Sequence, residues 1–467
     1  MSQRAFIPPW QTAGMPKETP VLIALSGGAD SAALLRLLSE RAARDGFSIL
    51  AAHLHHGIRG EEAERDAMLS ERLAARFGAE FVCERVDVPR LARESGRGLE
   101  ETARAVRYDF FARLMRERRI PILVTAHHAN DNLETLLFRI ARGTGLRGLC
   151  GSPEKRDFAG GVLVRPLLAY SKRELVELCL REEIPFAQDS TNLLDGAARN
   201  RIRHGAIPSL ETVAADPTAS AYRLTRALAQ DEDCLSSMAE ALLAAHLRNG
   251  RMPVEPLLRA HPAIRARALL RLCEGGADAV HLEALGRLLQ TGRSGASCPL
   301  PGDLCACLQG GALMILPKLR VPLGREEIPF FEGCRAFCDG RLTVFVKRLE
   351  NSESRENVHN LSTSASIIID GNFEPDQLFF RARREGDTLL RGGKHQRLGR
   401  LFAEAEVPAM LRDSLPILCD GEGILWVPFV GLRDGARQAQ GACLEICVTV
   451  HKNTTEQKGL DYEFTQQ

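Results

Sequence analysis

Residues 21–38 read VLIALSGGADSAALLRLL, and this stretch decides the fold of the first part of the chain. Its first five residues are apolar and predict a buried strand, whereas the leucines after Ala32 recur at helical spacing. Between them, Ser26-Gly27-Gly28-Ala29-Asp30-Ser31 forms a tight strand-to-helix turn. Gly27 and Gly28 have no Cβ, so backbone N–H groups can approach a ligand closely. Because a helix N-terminus attracts anions, the stretch predicts an anion site at the end of a strand.

This loop differs from the common phosphate-binding motifs. It has neither the lysine of the GxxxxGK motif nor the spacing of GxGxxG, which excludes a kinase-like or GTPase-like site. It resembles the SGGxDS loop of the ATP pyrophosphatases, which hold the pyrophosphate of ATP and transfer AMP to an acceptor. An ordinary glycine-rich turn is the alternative, but the flanking strand and helix favour a nucleotide site. The resemblance implies an ATP site formed by Ser26, Gly27, Gly28, Ala29, Asp30 and Ser31.

Composition sets the broad class of the protein. A chain of 467 residues predicts several domains, and 45% hydrophobic with 26% charged residues is typical of a soluble globular protein. The net charge of +1 gives no indication for or against nucleic acid binding. Thirteen scattered cysteines without a CxxC pair favour a reduced, cytoplasmic protein over a disulfide framework or a zinc site. We expect no signal peptide and no membrane partner, because no leader pattern or long apolar run is present.

Strands and helices alternate through the first 200 or so residues. The predicted strands are Val21–Leu25, Ile49–Leu54, Glu80–Val86 and Pro121–Ala126. This alternation predicts an α/β fold with a parallel sheet covered on both faces. Ligands bind such sheets beyond the carboxyl ends of the strands. We therefore expect the glycine-rich loop, His56–Arg59 and His127–Glu134 to converge in one crevice.

Two groups of polar residues have spacings that suit substrate binding. Arg104 and Arg107 are one helical turn apart, and guanidinium pairs suit phosphate or carboxylate. His127, Asp131 and Glu134 have the spacing i, i+4, i+7, which predicts one helix face and a carboxylate pair that can receive an ammonium group. The His127-His128 pair could instead cap a helix or bind a metal. The HExxH arrangement is absent, which disfavours metal-dependent hydrolysis.

Changes in composition predict the domain boundaries. After Pro208 the sequence becomes rich in Ala, Leu and Arg at helical spacing, with a β-hairpin signal around Gly310-Gly311. Residues 350–365 are polar and rich in Ser and Asn, which is typical of a linker. We predict a catalytic domain at 1–208, a helical middle domain at 209–320, a connecting segment at 321–365, a small α+β domain at 366–450 and a polar tail at 451–467.

Two basic segments are candidates for RNA phosphate contacts. Arg199, Arg201 and Arg203 lie within five positions, next to His204. In the last domain, positive residues outnumber the two acidic ones by five within twenty positions. A solvated surface is the alternative for both segments. The candidates in the second segment are Arg381, Arg383, Arg384, Lys394, Arg397 and Arg400.

Taken together, the motifs resemble one family, the bacterial tRNA(Ile)-lysidine synthases. The resemblance extends over most of the chain. The loop is shared by all ATP pyrophosphatases, whereas the series from Arg142 to Arg203 and the C-terminal motif are more specific. The matching motifs are SGGADS, His53-x-x-His56-Gly-Ile-Arg59, Ala103-Arg104-x-x-Arg107-Tyr108, His127-His128-x-x-Asp131-x-x-Glu134, Arg142-Gly-Thr-Gly-Leu-x-Gly-Leu149, Arg165-Pro-Leu-Leu168, Asp189-Ser-Thr-Asn192, Arg199-Asn-Arg-Ile-Arg203 and Arg381-x-Arg383-x-x-Gly386-Asp387.

The resemblance implies a reaction. ATP adenylates C2 of the wobble cytidine in tRNA(Ile) with a CAU anticodon, and free lysine then replaces AMP to form lysidine. Asp30 would organise Mg²⁺, and Arg107, Asp131 and Glu134 would bind lysine. His127 is the candidate general base, so the implied catalytic residues are Asp30, Arg107, His127 and Asp131. The family also suggests a homodimer.

Two positions depart from the family pattern. Asn130 stands where relatives often have Asp, which removes one carboxylate. The basic C-terminal helix contains Gly399, which weakens a helix.

Three other functions fit parts of the sequence. A tRNA thiolase of the same fold would need a reactive cysteine pair, and the first half has only Cys83, Cys150 and Cys179. An amidotransferase-type synthetase would need a source of ammonia. A nucleotide-sensing protein without catalysis would not need Asp30, Asp131 and Glu134.

Overall fold

The computed structural model describes residues 6–58, 60–187, 198–319, 326–349, 358–360, 364–370, 377–436 and 443–451. The chain divides into two compact units, Met1–Asp233 and Cys234–Gln467. The domain boundaries at residues 208, 320, 365 and 450 remain predictions. In the described part of the chain, no helix is both long and apolar enough to cross a membrane.

A six-stranded sheet forms the centre of the first unit. Its strands are β1 (Val21–Ala24), β2 (Ile49–His55), β3 (Glu80–Arg85), β4 (Ile122–Val124), β5 (Lys155–Phe158) and β6 (Gly161–Val164). Their order is β3-β2-β1-β4-β6-β5, and all neighbours are parallel except β5 and β6. Val21 pairs with Ile49 on one side and with Ile122 on the other. The predicted parallel sheet is confirmed.

Helices cover both faces of this sheet. They are α1 (Pro9–Ala13), α2 (Ala29–Asp45), α3 (Glu61–Arg76), α4 (Val88–Ser95), α5 (Leu99–Glu117), α6 (Ala129–Arg142), α7 (Leu146–Leu149), α8 (Lys172–Arg181), α9 (Ala198–Arg201) and α10 (Ile207–Glu211). A π-helical turn, Ile202–Ala206, lies between α9 and α10, and α11 (Pro217–His246) spans the boundary between the units.

Alternate residues of the strands pack into two separate hydrophobic cores, one on each face of the sheet. Ile23 packs with the leucines of α2 on one face, whereas Leu22 packs with Phe110 and Phe111 of α5 on the other. Both faces are therefore dry, which explains why β1 is apolar at nearly every position.

The second unit contains the end of α11 and, further along the chain, the helices α12 (Val254–Arg259), α13 (Pro262–Leu272) and α14 (Ala279–Thr291). These helices pack with an antiparallel sheet of order β7-β10-β9-β8. Its strands are β7 (Arg251–Pro253), β8 (Ser297–Leu300), β9 (Leu304–Gln309) and β10 (Ala312–Pro317). The predicted hairpin is confirmed, because β9 and β10 pair across Gly310 and Gly311, which both have positive φ angles.

This four-stranded sheet contributes to two cores of the second unit. Leu313 and Ile315 pack with the helices, whereas Met314 and Leu316 pack with the C-terminal strands. The sheet of the middle region is therefore shared between the core with the helices and the core with the C-terminal strands.

The rest of the second unit is mainly antiparallel sheet. One five-stranded sheet has the order β12-β13-β22-β15-β14 and another has β11-β16-β19-β20-β21, while β17 and β18 form a hairpin. The short helices are α15 (Leu398–Glu404) and α16 (Ala409–Arg412). The strands are β11 (Ile328–Pro329), β12 (Gly333–Phe337), β13 (Leu342–Leu349), β14 (Val358–Asn360), β15 (Ser364–Asp370), β16 (Phe379–Arg381), β17 (Thr388–Arg391), β18 (Lys394–Arg397), β19 (Ile417–Asp420), β20 (Gly423–Val427), β21 (Gly431–Leu432) and β22 (Cys443–Val450).

The segment predicted as a connection, residues 321–365, differs from that prediction in its described part. It contains β11, β12, β13 and β14, and β13 pairs with β22 over its whole length, from Leu342 opposite Val450 to Leu349 opposite Cys443. The polar composition of residues 350–365 hid the strand β14, which pairs with β15 at the edge of the sheet. Strands at an edge need less apolar sequence than buried strands.

Candidate active site

The glycine-rich loop joins the carboxyl end of β1 to the N-terminus of α2. Gly27 has a φ angle of +85°, which side-chain-bearing residues rarely adopt. A Cβ at this position would lie 3.2 Å from the backbone oxygen of Asp66 and 3.2 Å from Oγ of Ser70. The fold therefore requires glycine at position 27, independently of any ligand.

Two serine hydroxyls hold the loop in shape. The Ser26 backbone N–H donates to Oγ of Ser31 at 3.2 Å, and the two hydroxyl oxygens lie 3.1 Å apart. The Ser31 hydroxyl in turn donates to the backbone oxygen of Gly28 at 3.0 Å. The loop is thus organised before any ligand binds, and it presents the N-terminus of a 17-residue helix to an anion.

Asp30, in the first turn of α2, is the centre of the charged groups. Its carboxylate accepts two hydrogen bonds from Nζ of Lys172, at 2.8 and 2.7 Å, and lies 3.6 Å from Nε2 of His128. Burial raises the pKa of Asp30, but the hydrogen bond and charge of His128 and the charge of Lys172 outweigh it and lower the pKa. Asp30 is therefore ionised at neutral pH.

The donor groups around Asp30 fit a Mg²⁺ ion that is bound together with a nucleotide. The carboxylates of Asp30 and Asp131 lie 3.6 and 3.7 Å from the same atom, Nε2 of His128. Magnesium in nucleotide sites typically takes one or two carboxylates, and substrate phosphates and water complete its octahedron. Among the described residues, no group of three or more His, Cys, Asp or Glu side chains forms a ready-made metal site.

His127 follows β4 and is held in a neutral form. Its Nδ1 lies 2.9 Å from the hydroxyl of Thr125. Burial lowers the pKa of His127 to about 4, and the positive charges of Arg165 and Arg104 act in the same direction, against Asp131. The imidazole is therefore uncharged at neutral pH.

The pKa of the next residue, His128, is shifted in the opposite direction. Burial lowers its pKa, but the hydrogen bond with Asp30 and the charges of Asp131 and Asp30 raise it above the usual value. Two adjacent histidines therefore differ in charge preference because only His128 lies between two carboxylates.

The predicted common helix face of His127, Asp131 and Glu134 is not formed. Helix α6 begins at Ala129 because His128 is extended, so His127 lies outside the helix. The Asp131 carboxylate accepts the backbone N–H of His128 at 2.9 Å and caps the helix. Glu134 is buried and accepts two hydrogen bonds from Arg203, at 2.7 and 3.0 Å. Asp131 is thus near the loop, whereas Glu134 is already paired.

Arg104 and Arg107 lie on α5, as predicted. Solvent reaches the Arg107 side chain, although desolvation by the surrounding protein lowers its pKa. The Arg104 guanidinium lies 4.9 Å from the centre of the Tyr108 ring, within cation–π range.

The motif around His53 is structural in its described part. Nδ1 of His53 lies 2.9 Å from the backbone oxygen of Leu25 and 3.2 Å from Oγ of Ser70. Burial lowers the pKa of His53, so this buried ring is neutral and supports the glycine-rich loop from behind. Arg59 lies outside the described residues.

The predicted RNA-contacting residues fall into three groups: residues outside the described part of the chain, residues in ion pairs and exposed residues without an ion pair. The Arg199 side chain and the whole segment Asp189–Asn192 lie outside the described residues, whereas Arg201 is exposed and Arg203 binds Glu134. In the second unit, four predicted residues form ion pairs: Arg381 with Asp387, Arg383 with Asp413, Arg384 with Glu327, and Arg400 with Glu404. Lys394 and Arg397, on β18, are exposed.

Arg381 is the least accessible of these residues. It is 8% exposed, and its guanidinium binds both carboxylate oxygens of Asp387, at 2.8 and 2.9 Å. Asp387 also accepts the backbone N–H of Arg384 at 2.7 Å. These contacts within the motif Arg381-x-Arg383-x-x-Gly386-Asp387 stabilise the turn that the motif forms.

Sequence reasoning missed Lys172 and the role of Asn130. Ser171 and Glu174 form a capping box at the start of α8, so the first residue of that helix, Lys172, lies near the helix N-terminus. Oδ1 of Asn130 accepts the Lys172 backbone N–H at 2.8 Å. Asn130 therefore joins α6 to α8, a contact that needs an oxygen acceptor but no charge.

Comparison with known proteins agrees with this geometry. Residues 5–210 match a family described as a PP-loop domain, and residues 378–447 match a family described as the TilS substrate C-terminal domain. The fold and the loop thus define a PP-loop ATP-binding protein.

Relatives extend the match to most of the chain. A tRNA(Ile)-lysidine synthase of Geobacillus kaustophilus is 30% identical over 464 residues, which cover 94% of this chain and 95% of the relative. A bifunctional protein TilS/HprT of Listeria monocytogenes is 30% identical over 426 residues, and the match spans 64% of that longer relative and 88% of this chain. The U34-tRNA thiolase NcsA of Methanococcus maripaludis is 18% identical, with a TM-score of 0.40, over 47% of this chain and 75% of the thiolase. The chain belongs to the tRNA(Ile)-lysidine synthase family.

The two glycines of the loop should respond differently to alanine. Gly27→Ala places a Cβ against Asp66 and Ser70 at a positive φ angle, so we expect a loss of about 1–3 kcal/mol in the free energy of unfolding. Gly28 has a φ angle of −72°, and a Cβ there would meet only Oγ of Ser26 at 3.6 Å, an ordinary contact. Gly28→Ala is therefore the matched control and should change stability little. Urea denaturation of both variants measures the difference; equal losses would contradict this account of the loop.

The two histidines should titrate far apart. Because the folded pKa of His127, about 4, lies below its unfolded value, the unfolded chain binds more protons between these values. Stability should therefore fall as the pH drops from about 6.5 towards 4. His127→Asn should remove this part of the acid sensitivity. Histidine NMR titration should find His127 neutral at pH 6, and a charged His127 at that pH would refute the assignment.

Proposed function

We propose that this protein ligates lysine to C2 of the wobble cytidine of tRNA(Ile) with a CAU anticodon, at the expense of ATP. The proposal rests on the group of residues beside the glycine-rich loop. There, the carboxylates of Asp30 and Asp131 each lie within 4 Å of Nε2 of His128. Relatives that match 94% and 93% of the chain bear the name of this enzyme. The product, lysidine, pairs with A and changes the tRNA identity from methionine to isoleucine.

The first step uses the loop. The C2 oxygen of cytidine attacks the α-phosphorus of ATP, and pyrophosphate leaves. Backbone N–H groups of Gly27 to Ser31 and the N-terminus of α2 hold the leaving pyrophosphate. Asp30 would hold a Mg²⁺ ion, which would supply additional positive charge to the phosphates. Lys172 must release Asp30 for this, and its ammonium is then available to a phosphate oxygen.

The second step uses the residues after β4. The ε-amine of lysine attacks C2, and the C2 oxygen leaves with AMP. Asp131 is partly exposed and carries the carboxylate that binds the incoming ammonium. The amine must lose a proton before it attacks. His127 is neutral, but with a pKa of about 4 it can accept a hydrogen bond without retaining the proton, which passes on to solvent or to the leaving phosphate.

Glu134 takes part in lysine binding through a different arrangement from the one predicted. Its two oxygens are occupied by Arg203. A direct contact between Glu134 and lysine requires Arg203 to move, so lysine binding and the RNA-contacting segment around Arg203 are linked. Arg107 is exposed on α5 and is available for the lysine carboxylate or a phosphate.

The RNA-binding surface in the second unit is carried by Lys394 and Arg397. Unlike their four paired neighbours, these residues have no ion pair with a described carboxylate. The other partners that we propose are ATP, free lysine and a second copy of the chain in a homodimer, in the cytoplasm.

Two of the three cysteines of the first unit, Cys83 and Cys179, give no support to the thiolase alternative. Burial raises the pKa of Cys83, and it raises that of Cys179 to about 11. Thiols of this kind are protonated at neutral pH and are poor nucleophiles.

Transfer of labelled lysine tests the reaction directly. We expect ATP-dependent labelling of an unmodified tRNA(Ile) transcript with CAU, and no labelling of the methionine tRNA with the same anticodon. Asp131→Asn should raise the KM for lysine about tenfold or more, since it removes a charge-assisted contact. The exposed Glu71→Gln on α3 is a control with the same change of charge. ATP cleavage to AMP without any lysine transfer would point to another acceptor.

Point variants test RNA binding better than truncation does. Removing residues 366–467 would also remove β22, the partner of β13, and would open the core of the second unit. Lys394→Glu with Arg397→Glu should weaken tRNA binding about tenfold or more and leave ATP binding unchanged. Lys347→Glu, exposed on β13, is the matched control. A tRNA affinity equal to that of the control would exclude this surface.

A further inference from the structure

We infer that Arg104, Arg156 and Arg165 form a subsite for an oxyanion around Tyr108, beside His127. The guanidinium carbons of Arg104 and Arg156 lie 4.9 and 5.4 Å from the centre of the Tyr108 ring. Tyr108 is also a hydrogen-bond partner of the Arg165 side chain. Helix α5, strand β5 and the end of strand β6 thus place three guanidinium groups around one aromatic ring.

Among the residues that the structure describes, these positive charges lack an ion-pair partner. In the described part of the chain, no carboxylate forms an ion pair with Arg104, Arg156 or Arg165, whereas Arg113 on the same helix is paired with Glu84. Burial lowers the pKa of Arg165, and the charges of Arg156 and Arg104 lower it further, against Tyr108. Like charges gathered in this way repel one another until an anion joins them.

Arg165 is the buried base of this subsite. The residue is 6% exposed, its Nη1 donates to the backbone oxygen of Pro153 at 2.7 Å, and its Nε makes no hydrogen bond within the described structure. A cavity of about 10 Å³ beside it, lined also by Glu154 and Tyr222, is large enough for a single water. Such a water can satisfy Nε but carries no charge. The Glu154 carboxylate accepts a hydrogen bond from the Tyr222 hydroxyl at 3.1 Å and forms no ion pair with Arg165, so the guanidinium is open to an anionic ligand.

The position of Arg165 along the sheet edge indicates whether the anion belongs to ATP or to the substrates that react with it. The glycine-rich loop follows β1, His127 follows β4 and Arg165 follows β6, in the sheet order β1-β4-β6. The Thr125 N–H donates to the oxygen of Val164 at 3.1 Å, which holds the ends of β4 and β6 side by side. Two strand spacings amount to roughly 10 Å, so an anion at β6 is too far from the loop to be a phosphate of ATP held there.

The ligand is therefore an oxyanion of the acceptor side of the reaction. Two substrates of the proposed function carry one, the phosphodiester next to the wobble cytidine and the carboxylate of lysine. Both suit planar guanidinium donors. This identification of the ligand rests on the proposed function, but the subsite itself rests on the charges described above.

The test uses the full-length chain with Arg104→Gln, Arg156→Gln and the conservative Arg165→Lys. Arg116→Gln, exposed on the same helix α5, is the matched control. The measurements are the KM values for tRNA and for lysine in lysine transfer, and the affinity for a CAU anticodon stem-loop RNA at several salt concentrations. Lysinamide, which has no carboxylate, serves as the comparison amine.

Either of two results supports the subsite and names its ligand. If it holds a phosphodiester, Arg104→Gln and Arg156→Gln should raise the KM for tRNA about tenfold and reduce the salt dependence of RNA binding by about one charge. If it holds the lysine carboxylate, the KM for lysine should rise about tenfold while that for lysinamide stays unchanged. KM values for both substrates equal to those of Arg116→Gln would overturn the inference.

The same measurements distinguish a failure of the subsite inference from a failure of the proposed function. A wild-type protein that transfers lysine to no tRNA would count against the function. Active transfer with unchanged KM values in the three variants would count against the subsite alone.

Discussion

The ion pair between Asp30 and Lys172, with His128 beside it, is the interaction on which the site depends. It joins the first turns of α2, α6 and α8, which come from segments up to 142 residues apart in sequence. Each of these helices begins at the carboxyl edge of the parallel sheet, where three positive helix ends meet. A carboxylate at their meeting point balances that charge. If the same carboxylate holds the metal ion of a nucleotide, as we propose, it must first exchange its ammonium partner.

The charged groups around this pair are arranged in order along the sheet edge. The loop after β1 is formed by small residues and backbone N–H groups, the histidines after β4 are kept in different charge states, and the arginines gather near β6. Burial alone would make both histidines neutral. The two carboxylates beside His128 change this for one ring only, and the arginines reinforce neutrality for the other. A single strand end therefore presents one neutral and one readily charged imidazole.

Much of the first unit follows from sequence pattern. Continuous apolar runs such as Val21–Leu25 predict buried parallel strands, and the predicted strands Ile49–Leu54 and Glu80–Val86 agree with β2 and β3 to within one residue. The common face of His127, Asp131 and Glu134 was wrong because spacing does not reveal where a helix begins. The pairing of Glu134 with Arg203 and of Asp30 with Lys172 joins residues 69 and 142 positions apart, and no local pattern records such contacts. In the second unit, the strand β14 was missed because an edge strand tolerates polar residues.

The pairing of β22 has a consequence for the synthesis of the chain. All strands of the first sheet lie before residue 165, so that sheet can close while translation continues. In the second unit, the strand Cys443–Val450 lies between β13 and β15 and is the last strand in the described sequence. Until the ribosome has released it, the strands on either side have open edges and their apolar faces are exposed. The second unit therefore completes its folding after the first and passes through a stage in which nascent chains can associate with one another.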